Sequence, residues 1–123
     1  MRAEAVLYVG DLGLLREFYG RCFGLDVEDE GTGFCGLASE AWLLTLVQSD
    51  EAVPGSAPPA RRRETPVKLA FSVPEIEDVR RLALELGGVV DPAASTWQFR
   101  DSLHCDLVDP EGNVVQLVQP LRP

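Results

Sequence analysis

The sequence predicts an α+β fold made of two copies of one βαβββ unit, and two internal matches carry that prediction. Residues 4 to 25, EAVLYVGDLGLLREFYGRCFGL, align without a gap onto residues 68 to 89, KLAFSVPEIEDVRRLALELGGV, at an offset of 64 positions. Apolar residues meet at Ala5/Leu69, Leu7/Phe71, Val9/Val73, Leu15/Val79, Phe18/Leu82 and Cys22/Leu86, and Gly24 coincides with Gly88. Further on, Thr45-Leu46-Val47-Gln48 matches Gln116-Leu117-Val118-Gln119 at an offset of 71. One amphipathic stretch can match another by chance, but agreement at two places in the same order points to a duplicated unit.

Each copy then reads in the same order. In the first, Ala5, Leu7 and Val9 alternate with Glu4, Val6 and Tyr8, the period of a half-buried strand. Asp11 stands where a helix N-cap is expected, Leu15, Phe18, Tyr19, Cys22 and Phe23 recur at helical spacing, and Gly24 ends the helix. In the second, Val67, Leu69, Phe71 and Val73 form the strand face, Ser72 and Glu75 have capping-box spacing, and Pro74 suits a first helical turn. Ile76, Val79, Leu82, Ala83 and Leu86 make the buried stripe before Gly87-Gly88. Short extended runs follow each helix, separated by turn signals at Gly31 to Gly33, Ser39-Glu40, Asp91-Pro92 and Asp109-Pro110-Glu111-Gly112-Asn113. One domain is expected, with a first module over 1–48, a connector over 49–65 and a second module over 66–120. The connector is proline-rich and contains Arg61-Arg62-Arg63, read either as a solvated run or as a clamp for an anionic ligand.

Composition narrows the function classes. A chain of 123 residues, 46% hydrophobic, can bury a core without staples. Its three cysteines have neither disulfide-framework nor zinc-site spacing, and no apolar run is long enough to span a bilayer or form a signal sequence, so a cytoplasmic protein is expected. A net charge of -9 disfavours contact with nucleic acid or an anionic membrane surface.

Val9-x-Asp11-Leu12, Phe18-Tyr19, Cys22-Phe23-Gly24-Leu25 and the Asp109-Pro110-Glu111-Gly112-Asn113 turn, set in two βαβββ halves, resemble the vicinal oxygen chelate superfamily of glyoxalases, dioxygenases and bleomycin resistance proteins. The resemblance implies curved mixed sheets around a concave small-molecule pocket, helices on the convex faces, and a homodimer. It also implies where metal ligands would stand in metal-dependent relatives: Glu4, Thr45 (or Leu44 in the neighbouring register), Lys68 and Gln116. An ammonium cannot ligate a cation while protonated, and Thr45 and Gln116 offer only weak neutral oxygens. No metal and no cofactor are therefore expected.

Two readings of the altered quartet follow. Glu4 and Lys68 pair as a salt bridge across the former metal position, or Lys68 holds a ligand carboxylate or phenolate while Tyr8, Thr45 and Gln116 set hydrogen bonds. His104, the sole histidine, alternates with Leu103 and Cys105 and is a further candidate for the ligand-binding face. Trp42, Trp97, Phe34 and Phe99 either wall a pocket or pack in the core, and the Asp109–Asn113 turn carries no assigned chemistry. Three functions fit: a metal-free binding protein that sequesters an aromatic or cationic natural product, an isomerase, lyase or epimerase using Glu4, Lys68 or His104 for proton transfer, or a regulatory or structural subunit with a closed pocket.

Overall fold

The computed structural model describes residues 1–52 and 55–121. The first half runs β1 (Ala3–Val9), α1 (Leu12–Phe23), β2 (Asp26–Gly31), β3 (Phe34–Ala38) and β4 (Trp42–Gln48), in a four-stranded sheet of order β1-β4-β3-β2. β1 and β4 are parallel; the other pairs are antiparallel. The second half repeats this with β5 (Ala70–Ser72), α2 (Ile76–Glu85), β6 (Val89–Val90), β7 (Trp97–Phe99), β8 (Ser102–Val108) and β9 (Val114–Pro120). Its order is β5-β9-β8-β6, with β7 also on β8. Where the first half has one strand, β2, the second has β6 and β7, separated by Pro92 and a 3-10 turn at Ala93–Ser95. Proline has no N–H to give a ladder, so the run breaks there.

Strand register tests the repeat residue by residue. Val6 stands opposite Thr45, and Ala70 opposite Gln116. The two offsets read from the sequence thus bring equivalent residues together in both halves.

Helix α1 forms as its signals require. Asp11 is extended and its side chain accepts from the Leu14 N–H at 3.1 Å, while Gly24 closes the helix at φ 62°. Helix α2 departs from expectation. It begins at Ile76, beyond Pro74, and no side chain of its own N-cap, Glu75, bonds its first turn. The Ile76 N–H instead donates to Gln119 Oε1 of β9 at 2.7 Å, a long-range partner that no local spacing reveals. The strand face is also shorter than predicted: Leu69 and Phe71 pack inward, but Val67 is 80% exposed and lies before β5.

Leu15, Phe18 and Tyr19 of α1 and the helix-facing residues of both sheets form one core, including Leu44, Leu46, Phe71, Cys105, Leu107 and Leu117. Contacts cross between the halves. Phe23 stacks on Phe71 with ring centroids 4.0 Å apart, and Phe18 occupies the space a side chain at Gly88 would fill. The Asp109–Asn113 turn fastens the same seam. Asp109 Oδ2 accepts from the buried Tyr19 hydroxyl at 2.7 Å, and Glu111 accepts from the Gly10 and Asp11 N–H groups at 2.8 Å. Burial, reinforced by Asp109, holds the Tyr19 hydroxyl well above its ordinary ionisation range, and burial pushes the Cys22 thiol up to about 12, so both stay protonated at neutral pH. Among the described residues, no helix is long and apolar enough to cross a membrane.

Candidate functional site

Strand alternation places one row of side chains on the face of the second sheet turned away from the helices. Leu103, Cys105 and Leu107 of β8 point into the core, so His104 and Asp106 take the opposite face. Gln116 of β9 stands beside Asp106, Ala70 of β5 beside Gln116, and Trp97 of β7 beside His104. Both His104 and Asp106 are nonetheless buried, at 7% and 6% exposure, because other side chains lie over them.

Over Asp106 lie two cations. Lys68 Nζ and Arg61 Nη2 both donate to Asp106 Oδ2 at 2.9 Å, and Arg61 Nη1 reaches Asp91 Oδ1 at 2.7 Å. The second oxygen, Asp106 Oδ1, is buried and has no hydrogen-bond partner among the described residues. Arg61 is held by its backbone neighbours: the Arg62 N–H donates to the Gly112 carbonyl, and Arg62 Nε to Asn113 Oδ1. The carboxylates beside Arg61, Asp91 first, hold its guanidinium above its ordinary range.

Over His104 lie aromatic rings. Trp97 stacks on the imidazole at 5.6 Å, and Phe99 meets it edge-on. Nε2 lies 3.1 Å from the Phe99 carbonyl, which can only accept, so Nε2 carries a proton. Nδ1 lies 2.8 Å from Gln116 Oε1. Both nitrogens are thereby engaged.

The first sheet presents a simpler face. Glu4, Val6 and Tyr8 of β1 point away from the helices, with Val6 and Tyr8 58% and 61% exposed. Thr45 lies in the row of Val6 and Gly36, whereas Leu44, the alternative register, is buried in the core. A side chain at Gly36 would collide with Asp29, so the Asp29 carboxylate also lies over this face. Lys68 does not pair with Glu4; its partner is Asp106. Of the candidate residues, the structure brings His104 and Gln116 into contact and sets Lys68 nearby, while Glu4, Tyr8 and Thr45 stand together on the other sheet. Trp42 packs near Phe71 and Phe34 lies over Gly31. Asp106 and Asp29 were not found from sequence, although alternation from His104 gives Asp106 its face. A hollow of about 290 Å³ between the end of α1 and the start of α2 is lined by Cys22, Phe23, Val73 and Leu82 and contains none of these candidates.

A model of the family described as a glyoxalase-like domain matches residues 4–118. The chain belongs to this family. Its fold is that of the vicinal oxygen chelate superfamily. The domain is similar in structure to a glyoxalase/bleomycin resistance protein/dioxygenase family enzyme from Burkholderia phytofirmans PsJN, with TM-score 0.71 and 15% identity over 96% of this chain and 97% of that one. It is likewise similar to a glyoxalase/bleomycin resistance protein from Albidiferax ferrireducens T118, with TM-score 0.67 and 19% identity over 98% of each. A glyoxalase/bleomycin resistance protein/dioxygenase from Alicyclobacillus acidocaldarius matches with TM-score 0.67 and 16% identity, over 99% of this chain and 92% of that one. No curated protein matches the sequence.

Metal-dependent relatives within the superfamily raise the question whether this glyoxalase-like domain has a metal site, and its donor set does not fit one. Lys68 is a cation bound to a carboxylate, and Gln116 is spent on His104. Both His104 ring nitrogens face protein oxygens, Gln116 Oε1 and the Phe99 carbonyl, and among the described residues no three His, Cys, Asp or Glu side chains converge.

Proposed function

We propose that this glyoxalase-like domain is a metal-independent small-molecule-binding protein, with Lys68 as the anchor for an anionic aromatic ligand. The observation that carries the reading is the Lys68–Asp106–Arg61 cluster, set on the sheet face where the family resemblance implies a metal. Lys68 gives Asp106 one donor and retains two for a ligand carboxylate or phenolate, and its side chain is 28% exposed. Trp97 and Phe99, both exposed on the same face, supply apolar surface for a ring. Glu4, Tyr8, Thr45, Gln116 and His104 set the polar surroundings. The engaged nitrogens of His104 favour binding over proton transfer, and the open face favours it over a closed structural subunit. A second cation beside the anchor, Arg61, favours an anionic ligand over a cationic one. Three buried free thiols suit a reducing, cytoplasmic setting. Benzoate is the simplest probe. Calorimetry should detect its binding to the wild-type chain, and Lys68→Met should weaken it by roughly tenfold or more, the effect of one charge-assisted hydrogen bond. Absence of binding, or equal binding by both proteins, would refute the reading.

We also propose a homodimer. β1 and β5 are sheet edges, and Val6, Tyr8, Trp97 and Phe99 leave apolar surface open on the two sheets. A second copy laid over these faces encloses the site. Light scattering at tens of micromolar, an order-of-magnitude concentration for a stable interface, should give twice the 13.4 kDa chain mass; a monomer would contradict it.

A further inference from the structure

We infer that a hollow beside the connector binds an apolar α-amino acid, with Arg62 on its carboxylate and Glu64 on its ammonium. The hollow is separate from the Lys68 cluster, and its role does not depend on that of Lys68. It has a volume of about 230 Å³, and Leu7, Leu69, Val115 and the Tyr19 ring form its floor. All four belong to the core or pack against it, so the hollow opens on the helix side of the sheets rather than on the face that carries Lys68. Val67, 80% exposed, also lines it and leaves apolar surface for a bound side chain to cover.

Arg62 is fixed but unspent. Its N–H donates to the Gly112 carbonyl at 2.9 Å, and its Nε to Asn113 Oδ1 at 2.8 Å. Asn113 is held in turn, giving Asp109 its N–H at 3.0 Å and its side-chain NH2 at 2.9 Å. Asp109 also accepts from Tyr19, so one network sets both the guanidinium and part of the apolar floor. Neither Nη group of Arg62 has a partner among the described residues, which leaves open the planar fork that matches a carboxylate. Glu64 lines the same hollow, is exposed, and its side chain likewise has no partner among the described residues. Charge then selects the ligand. A simple anion would meet Glu64 and a simple cation Arg62, whereas a zwitterion satisfies both. The volume of about 230 Å³ falls below the roughly 300–1,000 Å³ of drug-sized pockets, which suits a ligand the size of one residue.

The test titrates the wild-type protein with L-leucine, leucinamide, 4-methylpentanoate and glycine, followed by NMR at the methyl groups of Leu69 and Val115. Leucine should shift these signals and bind about fivefold or more tightly than leucinamide, which lacks the carboxylate, or 4-methylpentanoate, which lacks the ammonium; this is the scale of one exposed ion pair. Glycine, without an apolar body, should leave the signals in place. Glu64→Gln should bring leucine down to the affinity of 4-methylpentanoate, and Arg62→Gln to that of leucinamide. The comparison of ligands in the wild type stands even where a variant fails to fold. Equal affinity for leucine and either analogue would overturn the inference, as would shifts confined to the Lys68 face or no shift at all. Benzoate binding at Lys68 is read separately and is unaffected by any of these outcomes.

Discussion

Replacing Glu111 by alanine is expected to destabilise the fold by about 3 kcal/mol, because two backbone donors lose one buried, charged acceptor at once. Glu111 is 3% exposed and accepts from Gly10 at 2.8 and 3.0 Å and from Asp11 at 2.8 Å. These donors lie at the start of α1, whose own first turn has no acidic residue. Beside the Asp11 cap, a second negative charge at this helix end thus comes from the other half of the chain. Alanine removes the seam contact and the helix-end charge together, and thermal melting should fall by roughly 10 °C for a domain of this size. Glu111→Gln keeps one acceptor oxygen and should lose less. An unchanged melting temperature in Glu111→Ala would show that the seam is held elsewhere.

Gly112→Ala is expected to cost at least as much, by a different route. Gly112 has φ 89°, a conformation that strains any residue with a Cβ, and its added methyl would collide with the Ala60 carbonyl oxygen. Backbone strain and displacement together amount to about 3 kcal/mol or more. The displaced segment carries Arg61, so the substitution should also loosen Asp106 and weaken benzoate in whatever fraction remains folded. Melting measured with and without benzoate reads both effects. A variant as stable as the wild type would contradict the packing of 60–62 against this turn.

The fold was legible because duplicated alternation and duplicated helix stripes need no long-range information. Asp11 and Gly24 act within a few residues of themselves, and so could be read. The α2 cap could not: its acceptor, Gln119, lies 43 positions away. The same distinction governs the site. The side of the sheet taken by Lys68, Thr45, Gln116 and His104 follows from period-two alternation and the repeat. Which charge meets Lys68 does not, since Asp106 reaches it across β9, and Arg61 comes from a connector without periodicity. Reading the repeat as a symmetric pair led to Glu4, its equivalent in the other half. The sheets instead pair Lys68 within its own half. The Asp109–Asn113 turn was likewise visible as a turn, while its bonds to Tyr19 and Gly10 emerge only when the halves pack.

On the proposed reading, Lys68 and Gln116, at positions where the family resemblance implies metal ligands, belong instead to an ion-pair and amide cluster. The most direct test is to titrate chelator-treated protein with zinc, nickel, manganese and iron(II), and to measure bound metal by elemental analysis. The expected result is no stoichiometric uptake and no change in melting temperature with any of the four, because Lys68 and Gln116 cannot serve as ligands in their observed partnerships. One tightly bound metal per chain, with a raised melting temperature, would contradict it.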